Sequence, residues 1–502
     1  MKKLVLLLTI ILTFKSFSQI HVGAGQAYAT LGDVVAAKII SPGDTIYMHA
    51  GTYSTGEWIA DSLIGTPSKW ITLRAYKNDA VTITAQWTFL KARYFKITGL
   101  NWDGTDPSKI SHMLFFDYEY NCFTSLRNII VENCSFTNHN QLSSTSFAMI
   151  KFTGTDSFQV TNCIFKNSLN IGDGLSMNGC KNGVVKNCRF ENLNCWASHC
   201  KGGSDNITYE KNLILNCAAG GIVMGGDTGG PYYCSPGPTY EAKNIHVYSN
   251  IISGGAFGIR LASCCYSDVV NNSCYNMSNF AMRVLLESSN STNFSNNTIA
   301  NNIIASNDPY GCYINATGGI DYATFYFKNN LFWSYNSTIT APNFEWGGMQ
   351  NLNVSGSLIG DPKFNNPTAN DFSLKSGSPA IGAGIQVSVP ATDYNNVPYG
   401  STKRSIGALE SASVSVNNLF QEQNAISIYP NPSTGEFSLS LSGTETIKKF
   451  DLYDVTGALV YREMSPSNTQ KFNLRTLPNG IYKAVVLTSG DQINTQSVVL
   501  NR

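Results

Sequence analysis

Two stretches of this 502-residue chain place basic side chains at spacings where they could act together. In SHCKGGSDNITYEKN (198–212), His199 and Lys201 are two residues apart, so on a strand both side chains leave the same face. In FGIRLAS (257–263) and FAMRVLL (280–286), Arg260 and Arg283 hold the same place in two aligned segments. A basic side chain beside further cations can serve as a proton acceptor. An arginine or a bound cation can neutralise a carboxylate as charge develops on it. Together these groups suit β-elimination from a uronate. Lys201 would remove the C5 proton, Arg260 and Arg283 would bind the carboxylate, and His199 would assist proton transfer or contact the substrate. As like charges, the two arginines should face solvent, an acidic side chain or an anionic ligand, and Glu287 is the nearest internal partner in sequence.

The elements that must position these residues repeat. Short β-branched or aromatic runs, each closed by an Asn, recur in NIIVENCSF (128–136), GVVKNCRF (183–190), NITYEKNLI (206–214), NIHVYSNII (244–252) and DVVNNSC (268–274). Reference residues Asn133, Asn162, Asn187, Asn212, Asn250, Asn272 and Asn297 are 29, 25, 25, 38, 22 and 25 residues apart. Very short strands at this period imply a solenoid of stacked β coils. Coils stack at the inter-strand spacing of about 4.8 Å, so Arg260 and Arg283 should lie about 5 Å apart in backbone and Lys201 about 10 Å before Arg260. An Asn at one corner of each coil can form an amide ladder and tolerates a left-handed backbone. Upstream, 27–53 reads as a short helix that would cover the first coil, whose edge would otherwise be unpaired, followed by a strand.

The 38-residue interval holds GGDTGGPYYCSPGPTYEA (225–242), too rich in Gly and Pro to form a coil. It should leave the solenoid as a loop and form one wall of a groove. Tyr232, Tyr233 and Tyr240 would offer aromatic faces to sugar rings. Asp173, Asp205 and Asp227 are the candidate ligands for a Ca2+ ion, which prefers clustered oxygens, and they are equally readable as turn residues bonded to their own backbone.

Charged residues make up 13% of the chain and the net charge is +1, without the basic footprint that nucleic-acid binding needs. The 13 cysteines end at Cys312. Their odd number leaves at least one unpaired within the chain. Cys134, Cys163 and Cys188 share a motif position, which fits either a buried column of thiols or a disulfide series. Cys195, His199 and Cys200 have zinc-ligand types but no second compact pair. Residues 1–19, with Lys2, Lys3 and an apolar run from Leu4 to Phe14, read as a secretory signal. No later run is long and apolar enough to be a spanning helix. The β-helix is expected over 20–410, a linker over 411–424, and a small antiparallel β-sandwich over 425–502.

Two resemblances follow. The tail resembles the C-terminal sorting domain of the type IX secretion system through Tyr429-Pro430-Asn431-Pro432 with Gly435, Asp454-Val455-Thr456-Gly457 and Leu477-Pro478-Asn479-Gly480-Ile481-Tyr482. That implies export, with the secretion machinery as partner, followed by release or surface attachment. The body resembles right-handed parallel β-helix proteins typified by pectate lyases. It is also similar, around 198–212, to β-helical alginate lyases and chondroitinase B, which implies Lys201 as catalytic base. Those families carry a partner Arg one coil later, where this chain has GGIVMGGD (220–227). The expected function is thus a secreted, monomeric polysaccharide lyase acting on an acidic polymer. The alternatives are a non-catalytic glycan-binding or adhesive protein and a β-helical glycoside hydrolase. No Asp-Asp pair of the polygalacturonase kind supports the last of these.

Overall fold

The computed structural model describes residues 19–502 except 119–121, 142–146, 170–171, 227, 229–238, 288–291, 309–310, 312–313, 317–321, 340–343, 346–352, 412–425, 442–444, 456–457 and 490–492. The signal expected at 1–19, all but residue 19, lies outside the described residues, as do the linker from 412 onward, Tyr232, Tyr233 and Asp227. Two compact units divide after Ser411.

Each turn of the first unit runs through three short strands, and each strand pairs in parallel with its counterpart one turn on. The turn Lys181–Lys186, Arg189–Leu193, Trp196–Lys201 shows the pattern. Among the described residues the three resulting sheets hold 15, 12 and 11 strands. Alternate residues point inward, and like stacks on like. Trp102, Phe136, Phe165 and Phe190 form one inner column with centroids 4.9, 5.2 and 4.5 Å apart. Phe89, Phe116 and Phe152 form another, 5.4 and 4.7 Å apart. Parallel pairing repeats the backbone at nearly the spacing of offset-stacked rings, so an aromatic at the same place in successive turns stacks on its neighbour.

The corner after the first sheet divides its work between two adjacent residues. The left-handed bend falls on Asn133, Asn162, Asn187, Lys211, Ser249, Asn271, Asn301 and Asn329, all with φ of 50–57°. The next residue points inward. In the early turns it is Cys134, Cys163 and Cys188, all free and buried. Later it is Asn212, Asn250, Asn272, Asn302 and Asn330, each fully or almost fully buried. Here each side-chain oxygen accepts from the preceding ladder member's backbone N–H and, for all but Asn212, from its amide, at 2.9–3.0 Å. The reference Asn residues of the sequence pattern therefore belong to different columns. Asn133, Asn162 and Asn187 are bends, Asn212, Asn250 and Asn272 are ladder members, and Asn297 sits at the start of the first-sheet strand Asn297–Ala300. Two requirements at neighbouring positions, both met well by Asn, looked like one signal in the chain.

The N-terminal end is covered by the helix Leu31–Ala36, which buries Leu31 and Val34 and starts at a Thr30/Asp33 capping box. After the last coil the chain folds back. Phe364, Phe372, Ala380, Ile406 and Ala408 pack on Ile251, Tyr275, Ile303 and Leu331 of the second sheet. Arg404 is 2% exposed. It donates to Asn271 Oδ1 at 2.8 Å and stacks 3.9 Å from the Tyr399 centroid. Lys211 Nζ donates to Thr392 and Asn396. Residues 360–410, counted within the expected β-helix of 20–410, instead cover the side of the solenoid. The second unit is built of a three-stranded and a four-stranded antiparallel sheet around Phe437, Phe450 and Phe472.

Two stability predictions follow from these contacts. Replacing Asn272 by Ala strips acceptors from Asn250 and a donor from Asn302, and should cost roughly 3 kcal/mol in chemical denaturation, far more than the same change at exposed Asn206. Burial also holds the His112 imidazole neutral, at about 3, while Ala148 N–H donates to its Nδ1. A folded value below the unfolded one of about 6.5 means that unfolding takes up a proton in acid. Stability should therefore fall as pH drops from about 6.5 toward 3, by up to about 1.4 kcal/mol per pH unit for this group. Urea midpoints at pH 7 and pH 5 should converge in His112→Gln.

Candidate functional site

The candidate residues converge on the outward face of the third sheet. The strands Ile150–Thr153, Leu175–Asn178, Trp196–Lys201, Gly220–Gly225, Phe257–Ala262 and Phe280–Leu285 stack in register. One column therefore reads Lys151, Ser176, His199, Val223, Arg260, Arg283. A second, two residues further along each strand, reads Thr153, Asn178, Lys201. His199, rather than Lys201, shares the arginine column, two coils before Arg260. Lys201 stands beside that column.

His199 is held on both ring nitrogens. Its Nε2 lies 2.6 Å from the Gly225 carbonyl oxygen and so carries the proton donated there. Its Nδ1 is 3.5 Å from Asp173 Oδ2. Asp173 also accepts from the Cys195 thiol at 3.6 Å, and burial pushes that thiol up to about 12. Gly226 makes the arrangement possible. At φ +150°, a Cβ there would fall 2.9 Å from His199 Nε2 and 3.5 Å from Lys201 Cδ. The turn after Lys201 is pinned by the buried Glu241, which accepts from Gly202 N at 3.0 Å, Thr228 N at 2.9 Å and Thr228 Oγ1 at 2.7 Å.

Two groups that the sequence reading missed complete the electrostatics. Burial, and then the charge of Lys201, push the Lys151 ammonium below the usual lysine range, while Asp117 and Asp173 partly offset this. Asp117 accepts from Thr153 Oγ1 at 3.2 Å. Lys151 lies in IKFTGTDSFQVTN (150–162), one coil before LSMNGCKNGVVKN (175–187). Aligning those segments would have exposed it.

The arginines differ. Arg260 Nη2 lies 2.6 Å from Glu287 Oε1, the partner its charge called for. Arg283 has no ion-pair partner among the described residues. Burial, and then Arg260, push its guanidinium down. Each lies over an aromatic ring, Arg260 over Trp196 at 5.9 Å and Arg283 over Phe257 at 5.6 Å. Trp196 and Phe257 stack 5.7 Å apart across Gly220, whose missing side chain leaves room for them. The Nε atoms of both arginines are buried without a partner.

Of the expected calcium ligands, the two among the described residues, Asp173 and Asp205, do not come together. Asp173 is engaged by His199 and Cys195, whereas Asp205 lies on the first sheet. There it accepts from Asn244 at 2.8 Å and Tyr240 Oη at 3.4 Å. Tyr240 is thus turned to Asp205 and stands with Lys243, 5.7 Å from its ring, at the start of the first-sheet strand Ala242–Tyr248. No group of three or more His, Cys, Asp or Glu among the described residues could hold a metal ion.

Comparisons with known proteins divide along the same domain lines. Residues 110–232 match the family described as right handed beta helix region, and residues 427–501 match the secretion system C-terminal sorting domain. The body is a right-handed parallel β-helix, and the tail marks the chain for type IX secretion to the cell surface or extracellular space. No helix among the described residues is long and apolar enough to cross a membrane. No curated protein matches the chain. Among solved structures, the pectate lyase Pel9A is 12% identical, with 79% of this chain and 97% of that one covered at a TM-score of 0.47. A mannuronic acid specific polysaccharide family 6 lyase from human gut microbiota is 14% identical, with 68% and 87% covered at 0.42. An alginate lyase from Paenibacillus is 14% identical, with 65% and 91% covered at 0.37.

Glu241 offers a test of how the site is held. Glu241→Ala strands three donors at the turn after Lys201, and should cost on the order of 3 kcal/mol in urea denaturation. Glu241→Gln keeps an acceptor and should recover part of that loss.

Proposed function

We propose that this exported right-handed β-helix is a polysaccharide lyase that cleaves a uronate-containing polymer by β-elimination. The observation that carries the reading is the grouping of Lys201, His199, Arg260 and Arg283 on one outward sheet face, with Arg283 lacking an ion-pair partner among the described residues. A polymer lying along the solenoid axis would cross successive coils at about 4.8 Å intervals, close to the length of one sugar unit.

In this reading Arg283 takes the uronate carboxylate first. Arg260, held by Glu287, adds positive charge beside it and gains the carboxylate as Glu287 yields. The two rings beneath the guanidiniums set their planes and keep water from one side. Lys201, as the base, takes the C5 proton as the carboxylate, stabilised by the arginines, absorbs the developing charge. The C4–O bond then breaks, a C4–C5 double bond forms, and the leaving oxygen takes up a proton. His199 is the candidate to deliver that proton: it stands on the same face as Lys201, its Nε2–H would leave the Gly225 carbonyl to do so, and the absence of a side chain at Gly226 leaves space beside Nε2. No step is routed through calcium, since Asp173 and Asp205 are committed elsewhere.

The test is incubation of the purified protein with pectate, alginate, glycosaminoglycans and ulvan, with and without Ca2+, followed by ultraviolet absorbance of the unsaturated product. Lys201→Ala should lower kcat about 10²–10⁴-fold, in the range of a lost general base. Arg283→Met should cost about 10²–10³-fold. If every polymer stays intact, the lyase reading fails and glycan binding takes its place. If one is cleaved equally by Lys201→Ala, the residue assignment fails while the reaction class stands.

A further inference from the structure

The first coils carry a cluster that the proposed reaction does not use. His21 lies in the strand Gln19–Val22, paired in register with Thr45–Met48, and His49 follows directly after that second strand. The two imidazoles face each other, with His21 Nδ1 2.8 Å from His49 Nε2. On the far side of His49, Nδ1 lies 3.5 Å from Asp79 Oδ2. That carboxylate is fixed in turn by the Ala50 N–H at 3.0 Å. Asp79 thus favours the tautomer that carries its proton on Nδ1 and turns the Nε2 lone pair toward His21.

Backbone contacts hold both histidines before anything binds. His49 N donates to Val22 O at 2.8 Å, and Tyr53 Oη donates to His49 O at 2.8 Å. Gly23, at φ +143°, leaves the space into which His49 Cβ projects, since a Cβ there would be 3.0 Å from it. Tyr47 and Tyr76 flank the pair, with Tyr76 4.6 Å from the His49 ring and Tyr47 5.4 Å from the His21 ring. All of this lies on the outward face of the first sheet, away from the third-sheet column.

We propose that His21 and His49 form a binding site for a divalent transition-metal ion of the zinc class, with Asp79 orienting His49. Two imidazole nitrogens at about 2.0–2.1 Å from one zinc ion stand roughly 2.9–3.4 Å apart, depending on the angle between them. The observed 2.8 Å therefore needs only a small parting of the rings. The metal would displace the proton shared between the two nitrogens, and that proton moves to His21 Nε2 as the ring changes tautomer, so both histidines ligate as neutral imidazoles. Water fills the remaining positions. A carboxylate on the far nitrogen of a ligating histidine fixes its orientation and raises its basicity. Imidazole donors favour zinc, copper or nickel over calcium, which takes oxygen ligands.

The experiment is calorimetric titration of the full-length chain, free of any polyhistidine tag, with ZnCl2, and with CaCl2 as the control. The wild type should take up one more equivalent of zinc than the double variant His21→Gln/His49→Gln, and calcium should not distinguish them. Asp79→Asn should weaken that equivalent about 10–100-fold. X-ray absorption on wild type loaded with one equivalent should show two imidazole ligands, a readout that does not depend on how the variants fold. Equal zinc uptake by wild type and double variant overturns the proposal. So does a spectrum with fewer than two imidazoles, or an affinity that Asp79→Asn leaves unchanged.

Discussion

Every feature of the first unit depends on coil-to-coil parallel pairing at a fixed register. That constraint makes a single residue type per position propagate into a column, so a side chain's surroundings are set by the residues one period before and after it. The buried amide ladder from Asn212 to Asn330 is its clearest product. A primary amide both donates and accepts, so identical residues can satisfy one another turn after turn. Where the column is Cys, at Cys134, Cys163 and Cys188, the same slot is filled by a small apolar group that leans on carbonyls of its own and the preceding turn. One geometric slot accepts two chemical solutions because both are compact and both meet their own kind.

The same register creates the candidate site. Stacking brings His199, Arg260 and Arg283 into one column and Lys151 to its upstream end, although they are spread over more than 130 residues of chain. Cations crowded in this way repel one another, and the structure offsets that repulsion unevenly. Glu287 neutralises Arg260, and Asp117 and Asp173 act on Lys151. Arg283 lies over the Phe257 ring and feels Glu287 only at longer range, without a direct ion pair among the described residues. The basic face is therefore unevenly compensated, and Arg283 is its least offset charge.

Interruptions of the repeat have physical roles of their own. Gly220 and Gly226 stand where neighbouring coils would carry a side chain, and each vacancy is used, by the Trp196–Phe257 stack and by His199 with Lys201. The returning segment 360–410 buries Lys211 and Arg404 against the solenoid: Arg404 is matched with carbonyl and amide oxygens, and Lys211 with Thr392, Asn396 and the Glu210 carboxylate. A basic residue at a left-handed corner such as Lys211 would be anomalous in a bare solenoid. The returning segment adds two acceptors, Thr392 and Asn396, to the adjacent Glu210 carboxylate.

By itself the sequence determined the architecture, because periodicity is local information: the spacing of Asn residues, the β-branched runs and the turn-rich tail all repeat within a few tens of residues. It also sufficed to align Arg260 with Arg283, whose segments match without gaps. Only the tertiary structure decided which columns those residues join. The left-handed bend and the amide ladder fall on adjacent positions that both favour Asn, so the chain alone could not separate them. The tertiary structure also decided that Lys151 joins the basic face, that Asp205 turns to Asn244 and Tyr240 rather than to Asp173, and that Glu287 pairs directly with Arg260 rather than with Arg283. Those outcomes rest on contacts between coils whose register depends on loop lengths and on side chains competing for the same partner, and neither is encoded in any single repeat.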